Sequence, residues 1–203
     1  MATTPLVYRT IREQIVEQLR KEVLSGEIPE GESLREQKLA ARFGVSRGPI
    51  RDALLQLTQE GLLLSQANRG VRVSRGPSEA IQPLVVDLRR RIEGFALAQI
   101  FDSLTSVDLA ELGAILAKQK LAAERELQSE FIEHDIGMHR WFVDRVGDAD
   151  LSAIWLTTIM RMRLRYTRHA SLMDSYLEHA RILENIHAGD KPSALAALEA
   201  NIV

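Results

Sequence analysis

Two short helical patterns separated by one glycine lie between Leu34 and Leu57, and this spacing restricts the fold more than any other feature of the chain. The first pattern stops at Gly44, because glycine commonly ends a helix. The second begins after Ser46, a favourable N-cap, and has Pro49 in its first turn, where a missing N–H costs nothing. The apolar positions are Leu39, Ala40 and Phe43 in the first pattern and Ile50, Leu54 and Leu57 in the second. Two short helices joined by a tight turn predict a helix-turn-helix.

The segments on either side of this pair extend the prediction. Upstream, apolar residues recur every four positions and predict a first helix. These residues are Ile11, Ile15, Leu19 and Val23. Downstream, the stretch from Leu62 to Ser74 reads as two β segments around a turn at residues 68–70. A hairpin in this position is a wing, so the N-terminal part is predicted to be a winged helix-turn-helix with a small β-hairpin wing.

The start of the second helix of this pair carries residues suited to contact DNA. A recognition helix places its exposed N-terminal turns in the major groove. Those turns contain Ser46, Arg47, Gly48 and Arg51. An arginine there pairs with guanine O6 and N7 or grips a phosphate, and a basic wing reaches a minor groove or a phosphate. The basic wing residues are Arg69 and Arg72. The alternative is that all of these arginines are ordinary solvated surface charges.

The charge is divided unevenly along the chain. The net charge is -2, but residues 1–75 carry 12 Lys and Arg against 9 Asp and Glu, whereas residues 76–203 carry 14 against 19. A basic head and an acidic body favour two domains that meet near Gly76 and Pro77, and a basic head suits DNA. We therefore predict a DNA-binding domain over residues 1–75 and a second domain over residues 76–203.

Composition excludes several other classes of protein. Hydrophobic residues at 45% and charged residues at 27% are typical of folded globular chains. The chain has no cysteine, so any metal must be held by nitrogen and oxygen atoms. The N-terminal residues lack the apolar core of a signal peptide, and no stretch approaches 18 uncharged apolar residues. We therefore expect a cytoplasmic protein that does not bind a membrane.

From Ser78 onward the patterns predict helices only. Apolar residues recur at helical spacing in four groups. These groups are Leu84, Leu88, Ile92, Phe95 and Ala96; Leu109, Leu112 and Leu116; Phe131, Ile136 and Trp141 to Val143; and Ile154, Ile159 and Leu164. Thr105 followed by Asp108 predicts a capping box, and Asp148 or Asp150 is expected to cap a later helix. The C-terminal part is predicted to be an all-α bundle of about six helices, which makes the whole fold mainly α.

Polar residues on two of these helices have the spacing of metal ligands. Asp135 and His139 are four residues apart and project from one helical face, whereas His134 points about 100° away. In the predicted C-terminal helical hairpin, His179 and Asn201 lie at about the same height. A carboxylate and two imidazoles on bundle helices predict a divalent metal site with open positions. A surface pair or an ordinary hydrogen bond is the alternative for Asp135 and His139.

Arginines on two predicted helices offer an anion-binding group for the same cavity. Arg90 lies in the sequence DLRRRIEG, and Arg161 and Arg165 share a face in RMRLRYTRH. A guanidinium beside the metal would pair bidentately with a carboxylate, which predicts a small organic acid as the effector. The alternative is a solvated or salt-bridged face, since a helix with this many arginines cannot bury them all.

Residues 8–75 resemble the DNA-binding domain of the GntR family of bacterial transcription regulators. The resemblance rests on GVSRGPIRDAL at residues 44–54, EGL at residues 60–62 and RGVRV at residues 69–73. It implies that Arg47 and Arg51 are the leading base or phosphate contacts. It also implies supporting contacts from Gln37 and from the wing residues Arg69, Gly70 and Arg72. Gly48 stands where many members carry threonine, so a side-chain contact is missing at that position.

Most of residues 78–203 resemble the FCD ligand-binding domain of the FadR subfamily of GntR regulators. Many members bind a metal through an aspartate, a histidine four residues later, a histidine before the last hairpin and a histidine on the final helix. Asp135, His139 and His179 match the first three, and Asn201 stands in the fourth position. The resemblance implies divalent zinc, nickel or manganese. Because an amide oxygen is a weaker and harder ligand than imidazole, the site is expected to favour a different metal, to bind it loosely, or to hold the effector directly.

Together these features predict a ligand-responsive transcription regulator that acts as a repressor. A homodimer is expected to bind two half-sites of a palindromic double-stranded operator, and a small carboxylate bound in the helical domain is expected to change operator affinity. Two alternatives use Asp135, His139 and His179 differently: a metal-dependent hydrolase, in which they activate water, and a pure metal sensor. The chain lacks a paired carboxylate base beside these residues and lacks a nucleophile motif, so we do not expect an enzyme.

Overall fold

The structure is a computed structural model that describes residues 9–66, 70–163 and 171–202. The chain divides into two compact units, with the division after Gly76. It is mainly α-helical with one small antiparallel sheet, which confirms the predicted fold class. Within the described ranges, no helix is both long enough and apolar enough to cross a membrane.

The first unit combines helices with a three-stranded antiparallel sheet. Its described elements are α1 (Ile11–Leu24), β1 (Ser33–Leu34), α2 (Glu36–Phe43), α3 (Arg47–Gln59), β2 (Leu63–Gln66) and β3 (Gly70–Val73). The strand order is β1-β3-β2, with Ser33 opposite Arg72 and Leu63 opposite Val73. Helices α2 and α3 and the β2–β3 hairpin are the predicted helix-turn-helix and wing. The sequence did not predict β1, because two residues are too few to show an alternating pattern.

The turn between α2 and α3 depends on one glycine. Gly44 follows α2 with φ of 67°, a left-handed conformation that glycine adopts without the steric penalty of a Cβ atom. Ser46 occupies the N-cap position of α3, although its side chain makes no capping hydrogen bond. The face of α3 that packs into the core consists of Ile50, Ala53, Leu54 and Leu57.

Two ion pairs fasten α1 to the helix-turn-helix. Arg20 on α1 donates from Nε and Nη2 to the carboxylate of Glu60, the C-cap residue of α3. Arg42 on α2 donates to the carboxylate of Glu22 on α1, and this hydrogen bonding holds the pKa of Glu22 below its usual range. Both carboxylates are buried, so the paired geometry matters more than it would at an exposed site. The pairs therefore fix the orientation of α2 and α3 on α1.

The second unit is a bundle of α-helices. Its described elements are α4 (Gln82–Ile100), a 3₁₀ helix (Phe101–Ser103), α5 (Ser106–Glu124), α6 (Gln128–Asp144), α7 (Ala149–Arg163), α8 (Leu172–His187) and α9 (Lys191–Asn201). The main core is formed by apolar side chains of α4, α5, α6, α8 and α9. It includes Leu97, Leu112, Met138, Phe142, Ile182 and Leu198. The described helices agree with the predicted number of about six.

Several predicted helix starts are present. Thr105 and Asp108 form a reciprocal capping box at α5, and Asp148 accepts a hydrogen bond from the backbone N–H of Leu151 at the start of α7. Asp190 caps α9 by accepting from the backbone N–H of Ser193. These interactions involve residues three apart, which explains why the sequence was sufficient to predict them.

Helix α4 buries a different face from the one its apolar residues indicated. Leu84, Leu88 and Phe95 contributed to the predicted apolar face, yet all three are exposed. The buried face carries Arg89 and Glu93 as well as apolar residues. The helix is thus apolar on two faces, and only one of them packs within this chain.

Candidate functional site

Three side chains of the helical unit with metal-ligand chemistry converge on one point. Asp135 and His139 lie one turn apart on α6, and His179 comes from α8. His179 Nε2 is 3.1 Å from Asp135 Oδ1 and 3.2 Å from His139 Nε2, and one ligand atom from each residue lies within 4.8 Å of the other two. Both histidines are fully buried, and the side chain of Asp135 is 17% exposed. The fold therefore brings together the three residues that the sequence pattern had singled out.

The hydrogen-bond partners of the two imidazoles indicate which nitrogen carries a hydrogen. His139 Nδ1 lies 2.6 Å from Glu93 Oε2, and His179 Nδ1 lies 2.7 Å from the carbonyl oxygen of Ser175. A carboxylate and a carbonyl only accept hydrogen bonds, so both Nδ1 atoms donate. In the neutral imidazoles, both Nε2 atoms then present lone pairs. Two nitrogens and a carboxylate thus face one another as acceptors, an arrangement that is favourable only around a cation, either a proton or a metal.

The spacing of these atoms fits a metal ion. Ligand atoms that lie about 2.1 Å from a common metal are about 3.0 to 3.4 Å from their neighbours in octahedral or tetrahedral geometry. The separations of His179 from Asp135 and from His139, 3.1 and 3.2 Å, fall in this range, and the ligand atoms of Asp135 and His139 lie within 4.8 Å of each other. Imidazole and carboxylate donors suit zinc, nickel and manganese. The donor set is therefore compatible with a divalent metal.

Glu93 on α4 connects this cluster to a buried arginine and a buried tryptophan. Its carboxylate is fully buried and accepts hydrogen bonds from Arg89 Nε and from Trp155 Nε1, each at 2.7 Å, in addition to the one from His139. Burial raises the pKa of Glu93, but the charge on Arg89 and the hydrogen bonds from His139 and Trp155 outweigh it and lower the pKa to about 2. Glu93 is therefore an anion that orients the ring of His139.

Burial also sets the ionisation of the candidate ligands. Desolvation lowers the pKa of His139, because a buried imidazolium is disfavoured, so its Nε2 is available as a ligand at neutral pH. Burial raises the pKa of Asp135, but its contact with His179 and the nearby His139 and Arg89 hold that pKa well below the usual range. The site thus presents a carboxylate and a neutral imidazole, the forms that metals bind.

Sequence reasoning missed three polar residues around the cluster: Arg89, Glu93 and Gln119. The available signal was the four-residue spacing of Arg89 and Glu93, which places opposite charges on one helical face. Gln119 on α5 gave no signal, although its fully buried amide places Nε2 3.3 Å from His179 Nδ1. Glu93 and Gln119 reach the two histidines through contacts between distant parts of the chain.

The other predicted effector and metal residues have different surroundings. Asn201 is buried and donates from Nδ2 to Glu178 Oε2 at 2.9 Å, so a metal would have to use its amide oxygen. Arg90 donates to the carbonyl oxygen of Ile202 at 2.8 Å, and Arg161 is exposed. Arg165 lies outside the described residues. Among the described arginines, Arg89 rather than Arg90 or Arg161 contacts the carboxylate that orients His139.

The predicted recognition residues lie at the N-terminal end of α3. Arg47 and Arg51 are both exposed, and Arg51 pairs with Glu36 on α2 with 3.3 Å between Nε and Oε1. Gly48 lies between them, and a Cβ atom there would meet nothing within 4 Å, so a larger side chain fits. Gln37 is exposed on α2. The N-terminal end of α3 thus presents the guanidinium groups of Arg47 and Arg51, and Arg51 is held by a carboxylate.

The wing residues are described in part. Gly70 is exposed at the first position of β3, with φ of 74°. Arg72 donates from Nη1 to the carbonyl oxygen of Gly31 at 3.2 Å and is half-buried, so its guanidinium is tied to the loop before β1. Arg69 lies outside the described residues.

Two family models together match most of the chain. The family described as bacterial regulatory proteins, gntR family, matches residues 11–73, and the FCD domain matches residues 84–203. A curated relative, the gluconate operon transcriptional repressor of Bacillus licheniformis, is 29% identical over 170 residues, which cover 83% of this chain and 69% of the relative. The first unit therefore matches the gntR family of bacterial regulatory proteins, and the second unit matches the FCD domain.

Solved structures share this architecture. McbR/YncC of E. coli has a TM-score of 0.81 and 22% identity, covering 96% of this chain and 94% of that one. A structure described as the metal-free FCD domain of another transcriptional regulator has a TM-score of 0.55 and 21% identity, covering 62% of this chain and 89% of that one. These similarities concern the fold. FCD domains can bind metal, and the described residues include an Asp/His/His group that can hold one.

Proposed function

The chain belongs to the GntR family of bacterial regulatory proteins and carries an FCD domain, and we propose that it is a ligand-responsive repressor. The similarity to a transcriptional repressor of a gluconate operon supports repression rather than activation. In this proposal a homodimer places two α3 helices in successive major grooves of a palindromic operator. The helical unit binds the effector and alters operator affinity.

The effector part of the proposal is carried by the three acceptor atoms that face one another at Asp135, His139 and His179. We infer that a divalent metal lies among them, with Asn201 as a weak fourth ligand. A proton on one imidazole is the alternative, and burial disfavours that proton on His139. A bound metal would supply open coordination positions for a small carboxylate. Glu93 holds the His139 ring, so that Nε2 faces the other two ligand atoms.

Three arginines are the candidates for contacting the charged group of the effector. Contacts from Arg90, Arg161 and Arg165 to the effector stay predictions from the sequence. Arg89 is already bonded to Glu93, so its main role in the proposal is to keep that carboxylate ionised. Gln119 lies close to His179 and offers a neutral polar group on the α5 side of the cluster.

Operator recognition in the proposal rests on Arg47 and Arg51. Both are exposed at the end of α3 that enters the groove in proteins with this motif. Each can contact guanine bidentately or bind a phosphate. The effector can change operator affinity only if it binds one arrangement of the two DNA-binding units more tightly than the other.

Metal content is the first test. We expect inductively coupled plasma mass spectrometry and native mass spectrometry to find one divalent metal per wild-type chain and none in His139→Ala. His187→Ala is the matched control, because His187 is an exposed histidine on α8 and should keep the metal. Wild-type protein without metal after growth and refolding in zinc, nickel or manganese would contradict the metal part of the proposal.

Operator binding separates the possible signals. Fluorescence anisotropy with a labelled operator should show a change in affinity when metal and a chelating carboxylate are both present. A change with metal alone would indicate a metal sensor, and consumption of the carboxylate would indicate an enzyme. For the DNA contact, Arg47→Ala should weaken operator binding while Arg12→Ala, an exposed arginine on α1, should not. Equal affinities for these two variants would remove Arg47 from recognition.

A further inference from the structure

A cavity of about 480 Å³ lies within the first unit, between the start of α2 and the wing. Its wall is formed by β1, the first residues of α2, one residue of α3 and the start of β3. The charged lining residues are Arg35, Glu36 and Arg72, and the apolar ones are Leu34, Leu54 and Val71. Arg35 is exposed, so the cavity opens at the protein surface. Arg35 is not among the DNA contacts predicted from the sequence.

The charged side chains of this lining favour an anion. Arg35 and Arg72 each bring a guanidinium, and Glu36 brings the one carboxylate among the described lining residues. Glu36 is paired with Arg51 on α3, with 3.3 Å between Oε1 and Nε, so its charge is compensated from outside the lining. The cavity therefore has an excess of positive charge, which attracts an anionic ligand.

Arg72 brings to this cavity a donor that lacks an acceptor. Its Nη1 donates to the carbonyl oxygen of Gly31 at 3.2 Å. Its Nε is buried and has no hydrogen-bond partner among the described residues. A buried donor without an acceptor is destabilising, and nearly all such groups in proteins have a partner. An anion in the cavity would supply the acceptor.

The start of α2 adds further donors. Arg35 occupies the N-cap position of α2 and makes no side-chain capping hydrogen bond, because a guanidinium has donors only. The first N–H groups of a helix have no acceptor within the helix, and a phosphate is well suited to that role. In a helix-turn-helix, the first helix of the pair crosses the DNA backbone. The motif therefore brings α2 close to phosphate groups of the DNA.

We propose that the cavity holds a phosphate group of the operator backbone, bound by Arg35, by Arg72 and by the start of α2. The proposal rests on the DNA binding of the proposed function and adds Arg35 to its contacts. The cavity walls belong to the helix-turn-helix and the wing, so the phosphate lies beside the groove that α3 enters. Because phosphates carry no sequence information, this contact fixes the position of α3 and contributes equally on operator and on unrelated DNA.

The first experiment measures affinity by fluorescence anisotropy at several KCl concentrations, with the operator and with a scrambled duplex of the same length. Arg35→Ala should weaken binding to both duplexes by the same factor. The slope of log affinity against log salt should become shallower by about 1, because one phosphate contact is lost. Arg35→Lys keeps the charge and should keep most of the slope.

The matched control for this experiment is Arg12→Ala. Arg12 is an exposed arginine of α1 that does not line the cavity, so its loss should leave the slope unchanged. Arg35 is equally an exposed residue, so circular dichroism of all three variants should match the wild type.

The second experiment replaces single operator phosphates by uncharged methylphosphonates, one position at a time. The wild type should lose affinity at each phosphate that it contacts. At one of these positions in each half-site, Arg35→Ala should show a smaller loss than the wild type, because part of that contact is already missing. This comparison is a double-mutant cycle between Arg35 and one phosphate. Arg12→Ala should give the wild-type profile.

The outcomes separate this proposal from the function it depends on. Equal salt slopes for Arg35→Ala and the wild type, or identical methylphosphonate profiles, would overturn the phosphate site and leave the repressor standing. A wild type without preference for the operator would overturn the proposed function, and the slopes on the scrambled duplex would still test the cavity. A wild type that binds neither duplex would overturn both.

Free phosphate is the other source of the same chemistry. Phosphorus nuclear magnetic resonance with inorganic phosphate tests it. If phosphate binds the wild type but not Arg35→Ala, while the DNA salt slopes of the two proteins are equal, the cavity takes a free anion and the operator contact is wrong.

Discussion

Replacing Glu93 with glutamine tests whether a buried carboxylate prepares the cluster for a metal. The carboxylate accepts hydrogen bonds from His139 Nδ1 at 2.6 Å, from Arg89 Nε at 2.7 Å and from Trp155 Nε1 at 2.7 Å. Glutamine has nearly the same shape, but one of its two polar ends is a donor. Whichever way the amide is turned, a donor meets a donor, and Arg89 no longer faces a carboxylate at position 93.

The expected losses follow from these contacts. With the amide NH₂ toward His139, the imidazole must accept at Nδ1 and carry its hydrogen on Nε2, which removes that nitrogen as a metal ligand. Loss of such an orienting carboxylate lowers metal affinity about 10- to 100-fold. The free energy of unfolding also falls, by about 1 to 3 kcal/mol, because a buried donor then faces another donor instead of an acceptor.

Two assays separate these effects. Metal affinity is measured by competition with a chromophoric chelator, and stability is measured by urea denaturation with EDTA present, so that metal binding does not contribute. Glu111→Gln is the matched control, because Glu111 also accepts a hydrogen bond from a tryptophan, Trp141, but at an exposed site. If Glu93→Gln retains both its metal affinity and its stability in EDTA, the assigned role of Glu93 is refuted.

Three further predictions concern other residues. Arg51→Ala should weaken operator binding by about 1 to 3 kcal/mol if Arg51 makes a bidentate contact with a base. Glu36→Gln releases Arg51 from its ion pair and should therefore strengthen binding to non-specific DNA. Anisotropy titrations at several salt concentrations measure both effects. Asn201→His should tighten metal binding, because imidazole is the stronger ligand for these metals, and an unchanged dissociation constant would place Asn201 outside the site. Hydrogen bonds from Arg145 and Thr105 hold the pKa of Asp108 well below its usual range, so its stabilising effect is present above about pH 4 and is lost as the pH falls further. Urea midpoints between pH 6 and pH 3 should therefore fall more steeply in the wild type than in Asp108→Asn.

Features set by neighbouring residues could be predicted from the sequence. The capping box of Thr105 and Asp108 and the glycine turn at Gly44 involve only residues a few positions apart. The pairing of Asp135 with His139 required only the pitch of a helix. Local geometry also determined the helix-turn-helix, because its caps, glycine and apolar spacing all predict the same boundaries.

Features set by contacts between distant residues could not be predicted in the same way. Strand β1 exists because Ser33 pairs with Arg72, and two residues alone give no pattern. Glu93 is 46 residues from His139 along the chain, so nothing local indicates that one orients the other. In α4, the most apolar stripe was not the buried one, since the buried face contains an ion pair that a count of apolar residues overlooks.

Helix α4 links the candidate metal site to the rest of the bundle, because its buried face carries the Arg89–Glu93 pair that orients His139. An effector that binds at this cluster can change operator affinity only if one arrangement of the protein binds it more tightly than another. By thermodynamic linkage, the operator then changes effector affinity by the same factor. A tenfold change in operator affinity requires only about 1.4 kcal/mol of such preference. This is no more than the contribution of about one hydrogen bond to a charged group, so the rearrangement of a single contact of Glu93 is sufficient in energy.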